Sequence, residues 1–245
     1  MRSMRATAAA VVLAAMLVSA TACSDGDGGA AAATSAPTTP APIATDATTT
    51  VPGSPAPEPT GVPGLADPDP FCAAWAAYSG TLQSIGIAEA FGQLVSSDIA
   101  WLELVAAPAI TDAADGIEAA WPGELAEERS VVLADYIGPF RRRAEKALAA
   151  LAAAGVTDDG LAQLRQAWFA ALAARNPDEP VITVPPLAAE LDAMVRAAAA
   201  QFDAAVTPFA DDPSLFVDSV EVPLTDIYLA NRCPDLASSG VGDAV

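Results

Sequence analysis

The sequence changes character at residue 67, and no other feature limits the fold so sharply. Residues 24–66 are Pro, Thr, Ala, Ser and Gly, with no basic residue and almost no large hydrophobe. Such a stretch cannot bury enough apolar surface to offset its ordering entropy, so it is expected to be disordered or polyproline-like. Extended in that way it would reach on the order of 100 Å, since polyproline rises ~3.1 Å per residue. Its Thr/Pro content also suits O-glycosylation. Asp25-Gly26-Asp27-Gly28-Gly29 has the flavour of a calcium loop but lacks the later ligands and the closing glutamate, so it reads as spacer.

From Asp67 onward the pattern is helical. Asp69 can cap a helix and Pro70 fits its first turn. Phe71, Trp75, Tyr78, Leu82 and Ile85 follow at helical spacing, and Gly86 is expected to weaken or end that helix. A second helix surrounds Ile99, Trp101, Leu102 and Val105. Pro108 is expected to break it and open another through Ile110, Ala114, Ile117 and Trp121. Leu125, Val132, Tyr136, Phe140, Ala144, Leu148 and Leu151 form the most regular stripe, with a kink or break expected at Gly138-Pro139 and a stop at Gly155. Asp158 is placed to cap the next helix, which carries Leu161, Leu164, Trp168 and Leu172. Residues 179–186 read as an extended connection. Leu187, Leu191, Met194, Ala198, Phe202 and Val206 give a further helix, with Asp192 and Arg196 as a favourable i,i+4 pair. Residues 216–222 alternate weakly and could pair with 181–184, although two short strands alone are marginal. A last short helix is expected from Thr225 to Arg232. The predicted fold is all-α, a single multi-helix, bundle-like domain with at most two short strands, spanning residues 67–236. A flexible tail follows at 237–245.

Much of the 53% hydrophobic content is alanine, which favours helix but buries little surface. Charge is lopsided, with 31 Asp+Glu against 11 Lys+Arg. A polyanion of this kind repels nucleic acid, so no nucleic-acid partner is expected. Solubility is the ordinary reading of the acidity, and a cation-binding surface is the sharper one.

The N-terminus has the layout of an export signal. Arg2 and Arg5 precede an apolar run from Ala6 to Val18, short for a spanning helix, and small residues follow it. The run Leu17-Val18-Ser19-Ala20-Thr21-Ala22-Cys23 resembles a bacterial lipobox. That resemblance implies cleavage after residue 22 and a diacylglyceryl thioether on Cys23. Residues 23–66 would then be a lipid-anchored tether on the extracytoplasmic face of the cell membrane. The match departs at Ala20, where the family usually has Leu or another aliphatic. Ala20-x-Ala22 also fits an ordinary secretory cleavage site, so plain secretion and an uncleaved anchor stay open.

The chain has three cysteines. If Cys23 carries lipid, Cys72 and Cys233 remain and can pair, tying the ends of the domain together. Intermolecular pairing or two free thiols are the alternatives.

No histidine occurs anywhere. That removes Ser-His-Asp and Cys-His catalysis, HExxH zinc sites and Glu-x-x-His iron sites. No catalytic residue, metal ligand or cofactor is assigned. Carboxylate-only hydrolysis needs just two acids, but pairs such as Glu127/Glu128, Asp158/Asp159 and Asp211/Asp212 are commonplace among 31 acids, and Asp158/Asp159 are better explained as helix capping and Asp211-Asp212-Pro213 as a turn. Arg141, Arg142, Arg143 and Lys146 cluster within six positions, with acids such as Glu124, Glu127 and Glu128 nearer the start of that segment. They form either a solvated helix face that suits the macrodipole or a contact for an anionic partner, such as lipid head groups, a wall polymer or an acidic protein. Trp75, Trp101, Trp121 and Trp168 read as core. The leading expectation is a non-enzymatic envelope lipoprotein that binds or scaffolds. A small-ligand or ion-binding protein is second, and a carboxylate-based hydrolase third. The alanine content, the single lysine and the Pro/Thr tether look like lipoproteins of high-GC Gram-positive bacteria.

Overall fold

The computed structural model describes residues 61–91, 94, 96–176, 181–215 and 221–238. The export segment, Cys23, most of the tether and the end of the tail lie outside these residues. Among the described residues there is no strand, and the fold is all-α. Residues 181–188 carry no regular structure, and residues 216–220 of the second candidate strand lie outside the described set.

Helix α1 (Pro70–Ala90) begins as its sequence dictates. The Asp69 carboxylate accepts from the Phe71 and Cys72 amides, and Pro70 occupies the first turn, where no amide is needed. Gly86 does not end it. Ile85 and Ala88 are fully buried on either side, and their packing outweighs the ~1 kcal/mol that glycine costs in a helix. Helix α2 (Ser96–Ala119) likewise runs through Pro108, contrary to the break expected there. It packs against α1, α4, α5 and α6 and buries residues on nearly every side, from Ile99 to Ile117. Tertiary packing of that extent overrides a local defect worth ~3 kcal/mol.

A 3-10 turn (Gly123–Leu125) leads into short α3 (Arg129–Val131), a π-helical segment (Val132–Ile137) and α4 (Gly138–Ala153). The disturbance expected at Gly138-Pro139 takes this form. Proline has no amide to donate backward and crowds the preceding turn, so the helix widens just before it. The Tyr78 hydroxyl donates to the Tyr136 and Ile137 carbonyls at the end of the widened segment. Gly155 stops α4 with φ +88°, and the Val156 amide reaches back to the Leu151 carbonyl in a Schellman closure.

Helix α5 (Asp158–Ala173) is capped one residue earlier than expected. The Thr157 hydroxyl accepts from the Gly160 amide, and Asp158 sits inside the first turn. Next come α6 (Ala189–Ala205), a 3-10 turn (Phe209–Asp211), α7 (Pro223–Arg232) and α8 (Pro234–Ser238). Packing also begins before residue 67. The Gly61 amide donates to the Arg175 carbonyl at 2.7 Å, Val62 donates to the Leu172 carbonyl, and Val62 is buried. Gly61 has φ +110°, and a Cβ there would lie 2.7 Å from the Ala173 carbonyl oxygen. Only glycine fits so close to another backbone. The segment falls within the expected tether, yet backbone bonds, buried Val62 and half-buried Leu65 pack it against the core. No described helix is long and apolar enough to cross a membrane.

Candidate functional site

Helix α4 turns one row of residues inward: Pro139, Arg143, Ala147 and Leu151, each four apart, are buried. Arg143 is therefore an internal cation. From α2, Glu103 points to it out of a run that includes Leu102, Leu104 and Val105. Arg143 Nε donates to one Glu103 oxygen at 2.7 Å and Nη2 to the other at 2.8 Å. Nη1 donates to the Thr207 carbonyl at 2.8 Å and to Asp212 Oδ2 at 3.2 Å. The guanidinium lies 5.4 Å from the Phe209 ring centroid and 5.9 Å from that of Phe202. Both members of the Arg143–Glu103 pair are 8% exposed.

Burial pushes the Glu103 carboxyl up. The Arg143 guanidinium opposes that shift, and the charges of Asp212 and Asp203 add to it. Asp212 is held low, chiefly by the Ser214 hydroxyl, against burial, with the Ser214 amide and Arg143 assisting. The arrangement clamps α2, α4 and the chain after α6 together at one point. Removing either charge would leave the other buried and uncompensated.

The clamp forms one wall of a cleft of about 210 Å³, lined also by Glu89, Ser96, Phe202 and Asp203. Beyond Phe202 and Val206 lies a shallower depression of about 580 Å³ lined by Lys146, Gln201, Thr207 and Ser214. Among the described residues, no group of three or more His, Cys, Asp or Glu side chains is placed to hold a metal ion.

The basic run identified in the sequence is divided. Arg143 is buried inside the domain, where Glu103, Asp212 and the Thr207 carbonyl engage it. Arg141 is engaged by Asp115, Glu118 at 3.3 Å and Glu145 at 3.9 Å. Arg142 and Lys146 are exposed. Consecutive helical residues point about 100° apart, so a run of arginines does not make one face. Of the candidate acid pairs, Glu128 caps α7, Asp158 and Asp159 occupy the first turn of α5, and Asp212 serves the clamp.

Cys72 and Cys233 are bonded, with both residues fully buried and Cα atoms 5.5 Å apart across 161 positions. The bridge ties the first turn of α1 to the end of α7. Trp75 and Trp168 are core residues, and the Trp168 indole N–H donates to the Thr81 hydroxyl at 2.8 Å. Trp101 and Trp121 are half-buried, donating to Asp192 and to the Leu125 carbonyl. Sequence reasoning missed Glu103. Its signal was an acid inside an apolar run, which calls for a buried cation somewhere in the fold. No family model matches this sequence, and neither a curated protein nor a solved structure matches it.

Proposed function

We propose that this chain is an exported envelope lipoprotein, anchored through Cys23 to the outer face of the cytoplasmic membrane, whose helical domain is a binding or scaffolding module. The observation that carries this reading is the buried Cys72–Cys233 bridge. Such bonds form and persist in oxidising compartments outside the cytoplasm. The bridge also uses two of the three cysteines, which leaves Cys23, at the end of the lipobox-like run, as the odd thiol. A domain closed end to end and clamped internally suits a rigid module held at a distance by a tether. Fractionation of cells expressing the wild type and Cys23→Ala tests it. The wild type should stay with the membrane and the variant should be released outside the cell. Equal membrane retention of both, with residues 1–22 removed from each, would refute the lipid anchor.

A second reading, small-ligand binding, draws on the cleft beside Glu103, Phe202 and Asp203. It predicts a rise in melting temperature with small organic cations, because a ligand bound only to the native state stabilises it. A screen without such a shift removes it.

A further inference from the structure

Helix α7 is held on three sides and bare on the fourth. At its start, the Glu128 carboxylate accepts from the Leu224 amide, the Thr225 amide and the Thr225 hydroxyl at 2.8–2.9 Å. Along its inner side, the Tyr228 ring meets Phe71 edge-on and its hydroxyl donates to Asp69. At its end, Cys233 is locked to Cys72. These contacts use Thr225, Tyr228 and Cys233, and the side chain buried most deeply within α7 is a threonine.

The face left outward is apolar. Leu224 is 39% exposed and Ile227 58%. Exposed Pro223 and Ala230 extend the same stripe at helical spacing. An amphipathic helix ordinarily turns such residues inward. Single exposed hydrophobes are unremarkable, but a ridge fixed at both ends is a preorganised contact surface.

The surroundings choose the partner's charge. Exposed Glu221 and Asp226 belong to the same stretch of chain. The 3-10 turn brings exposed Glu124 to the far end of α7, where Arg232 approaches it at 3.9 Å, and Glu127 lies between Glu124 and the capping Glu128. The Asp226 carboxyl is raised, first by burial and then by the negative charge of Glu128. Acid is thus crowded along this helix. An anionic lipid surface would be repelled by it, and a second copy of so acidic a chain would bring like charge to like.

We propose that the outer face of α7, centred on Leu224 and Ile227 and flanked by Glu124, Glu127 and Asp226, docks a cationic amphipathic helix of another protein. This rests on the binding-module reading above and gives it a surface and a partner chemistry. Apolar residues of the partner would cover Leu224 and Ile227, and its lysines or arginines would meet the flanking carboxylates.

The test uses the full chain carrying Cys23→Ala, free of acyl groups and immobilised through its N-terminus. The probe is a synthetic Leu/Lys amphipathic helical peptide, with a scrambled peptide of the same composition as control. The amphipathic peptide should bind and the scrambled one should bind at least about tenfold more weakly. Leu224→Ser with Ile227→Ser should weaken binding about tenfold or more, the scale of losing interface anchors, with the helical fold retained in circular dichroism and only a small loss in melting temperature, since neither side chain is buried in the core. Glu124→Gln with Glu127→Gln should weaken binding and flatten its salt dependence. Equal binding to wild type and the Leu224/Ile227 variant overturns the proposal, as does no binding to either. Two other results also overturn it: variant-sensitive binding to anionic vesicles, or wild-type self-association in sedimentation that the variant lacks. None of these readouts depends on acylation. A failed docking test therefore leaves the lipid anchor standing, and a missing acyl group leaves the docking surface standing.

Discussion

Arg143 and Glu103 face one another through two parallel hydrogen bonds of 2.7 and 2.8 Å, forty residues apart in sequence and both shut away from solvent. Buried pairs of this kind are asymmetric in energy. Breaking one by removing a partner costs about 3–5 kcal/mol, whereas replacing both with apolar groups is often neutral. Glu103→Gln or Arg143→Met alone should therefore lower the free energy of unfolding in urea by that amount. The double change Glu103→Leu with Arg143→Met should recover most of the loss. Additive losses in the double variant would mean that the pair is not the clamp described.

The disulfide makes a separate prediction. Closing a loop across 161 positions restricts the unfolded chain by about 5 kcal/mol in the chain-entropy account. Cys72→Ala with Cys233→Ala should reduce stability by about 2–5 kcal/mol in denaturant titration, while far-ultraviolet circular dichroism keeps its helical form. An unchanged midpoint would contradict the role given to the bridge.

Trp168 is the largest fully buried side chain, and its indole N–H is satisfied by Thr81. Thr81→Val keeps the shape and removes the acceptor. Leaving that donor unpaired should cost about 1–3 kcal/mol. Thermal unfolding followed by tryptophan emission reads the loss directly.

Glu128 links stability to pH. Burial pushes its carboxyl up, but hydrogen bonds from the Leu224 amide and from the Thr225 hydroxyl and amide outweigh that and hold it below its ordinary 4.5. A carboxyl depressed in the folded state contributes stability that is full above the unfolded value. That contribution is lost as pH falls from about 4.5 through the folded value. Glu128→Gln should lower stability at neutral pH and remove part of the acid-side decline. Parallel pH profiles for wild type and variant would show that this carboxylate does not hold α7.

The parts of the fold written in neighbouring residues were legible in the sequence. Asp69-Pro70 starts α1, Gly155 stops α4, and Asp192 pairs with Arg196 at 2.8 Å, as local spacing requires. Pro108 and Gly86 misled because their defects are local and small beside the burial on all sides of α1 and α2. Gly61 and Val62 lie within the expected tether, and their order depends on the distant backbone of Leu172 and Arg175, which local spacing does not reveal. The clamp was only half visible. Its arginine lay within a conspicuous basic run, but the inward direction of Arg143 follows from the register of α4 against α2. The outward apolar face of α7 was hidden as well. Only a short helix from Thr225 to Arg232 was expected there, and its orientation follows from the disulfide and the Glu128 cap rather than from its own residues.

Intact-mass measurement of the protein taken from native membranes is the most direct test of the account. The mature chain should begin at Cys23, carry the added mass of acyl chains on that residue, and weigh two hydrogens less than the reduced form, for the Cys72–Cys233 bond. A chain that keeps residues 1–22, or a Cys23 terminus without acyl mass, would contradict a lipid-tethered module outside the membrane.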